Sequence, residues 1–295
     1  PFVRFSEIAK EFLDSKDDPE KLQNFVNSWL AEPWEDTKLK TNADMVMERQ
    51  TDVPPMVVPN WAHFITGGVD IQETSLYWSI RTWGPYITSQ NIAHGQALSF
   101  QEIERIMNLP YLKENGDQLV VSLCLIDSGY DADSTYDFCA SNLDWAMPVK
   151  GSSNPMLSHF KISKINRPES RAHGMTLVLT DGDKYKDMIA ARMKKENGKG
   201  SWMVYDGCDM DYAEQVTAEH KVNMKSGSRV IQRWVQKQTH NDNHYLDAEV
   251  YAMAAADILG VRTLHLEEKK AEEKPAAQEQ YTPEEDWIHG NENWM

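Results

Sequence analysis

Three aspartates lie where carboxylates could serve metal-dependent chemistry. Asp70 ends the apolar run FITGGVD, and Asp127 ends the longer apolar run QLVVSLCLID. Asp247 falls in the first turn of residues 244–261, an Ala-rich stretch with the pattern of a long helix. Mg²⁺ and Mn²⁺ prefer oxygen ligands, and two such ions about 4 Å apart can activate a water and stabilise a leaving oxygen. The three aspartates are therefore candidate catalytic and metal-binding residues for phosphodiester hydrolysis.

A structural explanation of these aspartates remains open. An aspartate at the end of a strand often accepts hydrogen bonds in a turn or caps the following helix. Either Asp70 or Asp127 alone would fit that role. Two apolar strands that both end in aspartate, combined with an acidic residue on a late helix, favour a shared site.

His244 is a fourth candidate catalytic residue. It precedes Asp247 by three residues, so both side chains project from one face of the helix. A histidine beside a carboxylate can bind metal, orient a water or move a proton, although a hydrogen bond to the helix start is an equal alternative. Asp242 could cap this helix, and Glu249 faces another side of it. Further acids near the motifs are Asp131 and Asp133.

The distribution of charge bears on nucleic-acid binding. The net charge is −16, which by itself disfavours a polyanionic partner. However, residues 150–240 carry sixteen Lys or Arg against ten acids, whereas residues 265–295 carry three lysines against nine acids. A basic middle with an acidic tail is compatible with DNA binding. The candidate phosphate contacts, for which simple solvation is the alternative, are Lys150, Lys184, Lys194, Lys195, Lys225, Arg229 and Arg233.

The elements that would position these residues form a layered α/β domain. Residues 1–62 have helical patterns followed by a polar, proline-rich linker. Residues 63–262 alternate between strands and helices, which predicts a mixed sheet flanked by helices. Within them, residues 99–109 begin with a capping-box pattern, Ser99 and Glu102. Residues 263–295 are charged and contain prolines, so we expect a disordered tail.

Several classes of protein are disfavoured by composition. No apolar run approaches the length of a membrane span, and the first residues lack the order of a secretory signal. Three widely spaced cysteines, Cys124, Cys139 and Cys208, predict buried reduced thiols rather than disulfides or a zinc site. The absence of G-x-x-x-x-G-K-[ST] predicts that the chain has no P-loop ATPase site. Because the chain does not start with Met, we expect a fragment or a processed protein.

Five segments together resemble the nuclease half of the large terminase subunits of lambda-like phages. They are FVNSWLAEPWED (25–36), TGGVDIQ (66–72), LIDSGYDADSTYDFC (125–139), PVKG (148–151) and NHYLDAEVYAMAAADILG (243–260). The match runs in order over about residues 1–262. The family's acidic residues fall on Asp70, Asp127 and Asp247. Many members have Glu where this chain has His244, whereas related terminase nucleases have His, so the role of His244 stays open.

The resemblance implies an RNase H-like fold of the RuvC and integrase type. It implies an endonuclease that uses two Mg²⁺ or Mn²⁺ ions to cut concatemeric double-stranded viral DNA. In the full protein this domain would follow an ATPase domain and would work with the small terminase subunit and the portal in the host cytoplasm. A DNA-binding module that does not cleave, or a module that docks onto the portal or motor, is the alternative.

Overall fold

The computed structural model describes residues 4–16, 25, 28–30, 41–169, 172–226, 229–237 and 242–266. The side chains at 225–226 and 229–230 are not described. The part of the expected acidic tail from residue 267 onward, most of the helical pattern at residues 17–34 and residues 35–40 of the expected linker lie outside the described residues. Among the residues described, no helix is long and apolar enough to cross a membrane.

The helices, in chain order, are α1 (Phe5–Ser15), α2 (Ala43–Met47), α3 (Phe100–Met107), α4 (Ala132–Ser141), α5 (Gly182–Met193), α6 (Met210–Val216) and α7 (His244–Ile258). The strands are β1 (Val57–Val58), β2 (Phe64–Ile71), β3 (Leu76–Gly84), β4 (Thr88–Ala97), β5 (Tyr111–Lys113), β6 (Gln118–Leu119), β7 (Val121–Asp127), β8 (Ala146–Gly151), β9 (Phe160–Lys164), β10 (Thr176–Thr180), β11 (Trp202–Val204), β12 (Glu219–Ser226) and β13 (Arg229–Gln236).

An eight-stranded mixed sheet forms the centre of the domain, in the order β11-β4-β3-β2-β7-β8-β10-β9. Strands β2, β3 and β4 are antiparallel neighbours, whereas β7 runs parallel to β2 and β8 runs parallel to β7. The central order β4-β3-β2-β7-β8, with these directions, is that of RNase H-like folds. The predicted fold class, a mixed sheet flanked by helices, is therefore confirmed.

Two apolar cores cover the two faces of this sheet. On one face, α5, α6 and α7 pack with α2, and on the other face α3 and α4 cover β2 and β7. Helix α7 is apolar around most of its circumference, which is typical of a helix buried on several sides. Cys124, Cys139 and Cys208 are buried free thiols, as the sequence predicts.

The glycine pair of β2 explains how the layers approach so closely. A Cβ added at Gly68 would lie 1.9 Å from the Ala248 carbonyl oxygen, and one added at Gly67 would lie 2.7 Å from the Met107 sulfur. The backbone of α7 therefore lies directly on β2, where Thr66 Oγ1 donates a 2.7 Å hydrogen bond to the Ala252 carbonyl oxygen. This contact fixes the start of α7 relative to the end of β2.

Residues 41–62 are more ordered than their linker composition indicates. They contain α2 and β1, Val46 of α2 is fully buried in the same core as α6 and α7, and the Thr51 amide donates to the Val204 carbonyl. The boundary at residue 62 stays a prediction, but the residues before it pack against the sheet. The sequence also offers Ser6 as a cap for the first helix, but Ser6 lies inside α1, whose N-cap is Arg4.

Candidate active site

Asp70 and Asp127 are brought together by the pairing of β2 with β7. The two strands are parallel, and Val69 is in register with Ile126, so the next residue on each strand is an aspartate. The ends of parallel neighbours point to the same edge of a sheet, as the sequence predicts for this pair. Asp70 is buried, and the Asp127 carboxylate accepts a 3.3 Å hydrogen bond from the Tyr251 hydroxyl of α7.

Asp247 reaches the same region from the first turn of α7. Burial raises the pKa of Asp127 to about 6, and the charges of Asp70 and, to a smaller extent, Asp247 add to the rise. Burial also raises the pKa of Asp247 to about 6; the Lys186 ammonium opposes this rise, whereas Asp70 and Glu219 add to it. The three carboxylates are therefore close enough to repel one another. A bound cation would reduce this repulsion by neutralising part of their negative charge.

His244 is in direct contact with Asp70. Its Nδ1 lies 2.9 Å from Asp70 Oδ2, the same oxygen to which Gln72 Nε2 donates at 2.7 Å. The Tyr77 ring lies against the imidazole, with ring centroids 4.4 Å apart. The hydrogen bond to Asp70 raises the pKa of His244 above its ordinary value. Asp242 is 3.8 Å from the other imidazole nitrogen, and the helix cap falls on Asn243 instead.

Lys186 of α5 is a neighbour of Asp247 that is not among the residues predicted from the sequence. Its ammonium lies 2.7 Å from Glu219 Oε1 and 3.2 Å from Asp247 Oδ1. Burial lowers the pKa of Lys186, but the attraction of Asp247 and Glu219 outweighs burial and raises that pKa above its ordinary value. The sequence offers little signal for this role, because Lys186 stands in a charged helix whose lysines resemble solvated side chains.

Asn243 completes the surroundings of Asp247. Its side-chain nitrogen donates to Glu219 Oε1 at 2.7 Å and to Asp247 Oδ2 at 3.2 Å. Both oxygens of Asp247 thus face donors, one from Lys186 and one from Asn243. Glu219, at the start of β12, accepts the shorter bond from each donor.

The other acids near the motifs have structural roles. Asp131 caps α4 by accepting from the Ser134 amide at 3.2 Å, and Asp133 forms an exposed ion pair with Arg167. Glu249 is fully buried on the sheet side of α7, where it pairs with Arg81 at 2.5 Å. Each of these three carboxylates is engaged with a partner outside the three-aspartate set.

Divalent metal fits the chemistry of the donor set, because three acidic oxygen donors crowd together and repel. As the side chains are placed, no three His, Cys, Asp or Glu side chains within the described ranges surround a point that could hold an ion. Asp70 is turned toward His244 and Gln72, and Asp247 toward Lys186 and Asn243. Metal binding at this edge would therefore require at least Asp247 to exchange its partners.

The candidate DNA contacts fall into three groups: exposed side chains, side chains engaged within the protein, and side chains outside the described part of the structure. Lys150 at the end of β8 and Lys194 and Lys195 after α5 are exposed. Lys184 donates to the carbonyl oxygens of Met156, Leu157 and Ser158, so it holds a loop to α5.

Arg233 is likewise engaged within the protein, since it pairs with Asp183 at 3.4 Å. The side chains of Lys225 and Arg229 lie outside the described part of the molecule, although their backbone belongs to the β12–β13 hairpin. In the sequence this segment stands out only as a charged stretch. A pattern that predicts the hairpin is present in the sequence: the apolar residues Val222 and Met224 alternate, and Gly227 follows them.

The chain matches a known protein family over most of its length. Residues 1–269 match the family described as terminase large subunit gpA, endonuclease domain. The large terminase subunit of Escherichia phage lambda is 27% identical over 276 residues, and that of Enterobacteria phage P21 is 26% identical over 282 residues. Each match covers 88% of this chain and 42% of the relative, so the chain spans about two fifths of their length.

Solved structures offer a more distant likeness. The large terminase nuclease of the thermophilic phage G20c, crystallised with magnesium, has a TM-score of 0.43 and 10% identity, over 73% of this chain and 96% of that one. Its cobalt-bound form has a TM-score of 0.40. The family match spans nearly the whole chain and includes Asp70, Asp127 and Asp247. The chain therefore belongs to the family of terminase large subunit gpA endonuclease domains.

Proposed function

We propose that this chain is the metal-dependent endonuclease domain of a viral genome-packaging terminase, which cuts concatemeric double-stranded DNA by two-metal-ion phosphodiester hydrolysis. The family supports a nuclease role. The metal-dependent mechanism is supported by one observation: Asp70 and Asp127 lie at one sheet edge, and Asp247 faces them from α7. Three repelling carboxylates at one place are poorly explained as turn or helix caps, whereas divalent ions would use them all.

In this proposal the three aspartates hold two Mg²⁺ or Mn²⁺ ions. Bound ions would activate the attacking water and stabilise the leaving oxygen. Gln72 and His244 fix the orientation of the Asp70 carboxylate through their hydrogen bonds to Oδ2. His244 Nε2, on the side of the ring away from Asp70, can hold or move a proton near the DNA strand.

Membership of this family supports a set of proposed partners. The domain would act on viral DNA, joined in the full protein to an ATPase domain that performs the ATP hydrolysis. The small terminase subunit and the portal would complete the machine in the host cytoplasm. Exposed lysines such as Lys150 and Lys195 would contact the phosphate backbone, which positions DNA without regard to sequence.

Plasmid cleavage by the purified chain tests the proposal. Wild-type protein with millimolar Mn²⁺ should nick or linearise supercoiled plasmid, and chelation should stop the reaction. Asp70→Asn and Asp127→Asn should abolish cleavage while the circular dichroism spectrum stays unchanged. Asp144→Asn, which alters an exposed acid away from the site, is the matched control and should cleave normally. Folded wild-type protein that binds DNA but leaves it intact would favour the non-cleaving alternative.

A further inference from the structure

Lys186 occupies an unusual position for a lysine. Its side chain is largely buried, and its ammonium bridges Asp247 of the candidate metal site and Glu219, which lies outside the three-aspartate set. A buried ammonium is costly unless it is paired, and here two carboxylates pair with it. The protein therefore supplies its own cation where Asp247 would otherwise meet a metal ion.

The bond lengths indicate which partner Lys186 keeps. Its contact with Glu219 is 2.7 Å, within the range of a strong charged hydrogen bond, whereas its contact with Asp247 is 3.2 Å. Asn243 shows the same preference, with 2.7 Å to Glu219 and 3.2 Å to Asp247. Glu219 accepts from both donors, so each donor keeps a hydrogen-bond partner when Asp247 turns away.

A metal ion must compete with this arrangement. An ammonium close to Asp247 cancels part of the negative charge that attracts a divalent cation, and a second positive charge nearby repels it. Binding at Asp247 therefore requires the Asp247–Lys186 contact to open. Asp70 and Asp127 have no lysine contact of this kind among the described residues, so the competition acts on Asp247.

We propose that Lys186 is a positioning residue that competes with divalent metal for Asp247 and thereby weakens metal binding at the site. The inference rests on the proposed function, since it assumes that Asp247 is a metal ligand. Glu219 is the fixed anchor that retains the Lys186 ammonium when Asp247 turns toward the ion. Lys186 consequently keeps the Asp247 carboxylate compensated until metal is abundant or is delivered with substrate.

Direct titration of the full chain with Mn²⁺ tests this role, with free Mn²⁺ followed by its electron paramagnetic resonance signal. Lys186→Met should bind Mn²⁺ at least tenfold more tightly than wild type. Lys186→Arg, which keeps the positive charge, should stay within about threefold of wild type. Lys221→Met is the matched control, because the Lys221 side chain is as little exposed as that of Lys186 and pairs with Asp187 across the same α5–β12 contact.

Unchanged or weaker Mn²⁺ binding by folded Lys186→Met would overturn the inference and leave the proposed function standing. Absence of Mn²⁺ binding by wild type at millimolar concentration would overturn both. A second measurement needs no variant: saturating Mn²⁺ should change the acetylation rate of Lys186 in wild type at least threefold, measured by mass spectrometry, and leave that of Lys221 unchanged. An Mn²⁺-bound protein whose Lys186 acetylates as before would also contradict the competition.

Discussion

The α carbon of Gly68 lies against the Ala248 carbonyl of α7, so closely that a Cβ at Gly68 would come within 1.9 Å of that oxygen. The same Cβ would lie 2.6 Å from the Ala252 amide nitrogen. Backbone atoms of a buried helix cannot yield as a flexible side chain can. The position of Asp247 relative to Asp70 therefore depends on the absence of a side chain at residue 68.

Gly68→Ala should destabilise the protein severely. Overpacking against well-packed atoms typically costs about 1 to 3 kcal/mol, and contact with helix backbone places this substitution at or above the upper end. Thermal unfolding should show a large fall in Tm or loss of soluble protein. Gly151→Ala is the control, because a Cβ there meets nothing within 4 Å. A variant at Gly68 as stable as that at Gly151 would contradict the close contact.

Asp127→Asn should stabilise the metal-free protein. Burial and the charge of Asp70 raise the pKa of Asp127 to about 6, so its ionised form is disfavoured in the folded state. Between its ordinary value of 3.8 and about 6, the folded state binds more protons than the unfolded state, so stability falls as pH rises through this window. At pH 7.5 the substitution should therefore raise the free energy of unfolding by roughly 2 to 3 kcal/mol, since one pKa unit corresponds to about 1.4 kcal/mol.

Urea unfolding in EDTA at pH 4 and at pH 7.5 measures this difference. The gain of Asp127→Asn over wild type should be present at pH 7.5 and small at pH 4. Equal stability of the two proteins at pH 7.5 would mean that neither burial nor the Asp70 charge disfavours ionised Asp127 in the folded state. Mn²⁺ should reverse the order, because only wild type keeps all three carboxylates for the ion.

His244→Ala should reduce cleavage without abolishing it. His244 holds Asp70 through the 2.9 Å contact, and loss of groups that orient metal ligands typically costs about 10- to 100-fold in activity or metal affinity. Rates of plasmid nicking across a series of Mn²⁺ concentrations measure the effect. His63→Ala, at an exposed histidine before β2, should cleave as wild type does. Activity as low as that of Asp70→Asn would instead make His244 itself indispensable.

The sequence predicts the elements that carry the candidate aspartates better than it predicts their surroundings. Asp70, Asp127 and Asp247 follow strong local patterns, two apolar strands and a long helix, and these elements are where the patterns place them. Lys186 and Glu219 meet only through tertiary packing of α5 on the β12–β13 hairpin, and no local pattern records that contact. Strand β11 has three residues, too few for alternation to identify.

The basic residues should divide into two classes on substitution. Lys150→Ala and Lys195→Ala alter exposed side chains and should weaken DNA binding, with a shallower dependence of affinity on salt. Lys184→Ala removes the bonds to the carbonyls of 156–158 and should instead lower Tm. Fluorescence anisotropy with a DNA duplex at several salt concentrations, paired with thermal unfolding, separates the classes. A salt slope unchanged in Lys150→Ala and Lys195→Ala would place the DNA path elsewhere.

The buried pair of Glu249 and Arg81 should contribute far more to stability than an exposed pair does. Glu249 also accepts hydrogen bonds from Tyr212 at 2.6 Å and Asn91 at 2.9 Å, and both members of the pair are fully buried. Glu249→Leu leaves the Arg81 guanidinium without its counter-charge in a dry core. Removing one partner of such a pair typically costs about 3 to 5 kcal/mol.

The exposed pair of Arg167 and Asp133 provides the comparison, since an exposed ion pair contributes about 0 to 1 kcal/mol. Denaturant unfolding should show a large loss for Glu249→Leu and a small one for Arg167→Met. The double variant Glu249→Leu with Arg81→Met should lose less than the sum of its single changes, because it leaves no buried unpaired charge. Additive losses in the double variant would show that Glu249 stabilises α7 through Tyr212 and Asn91 rather than through Arg81.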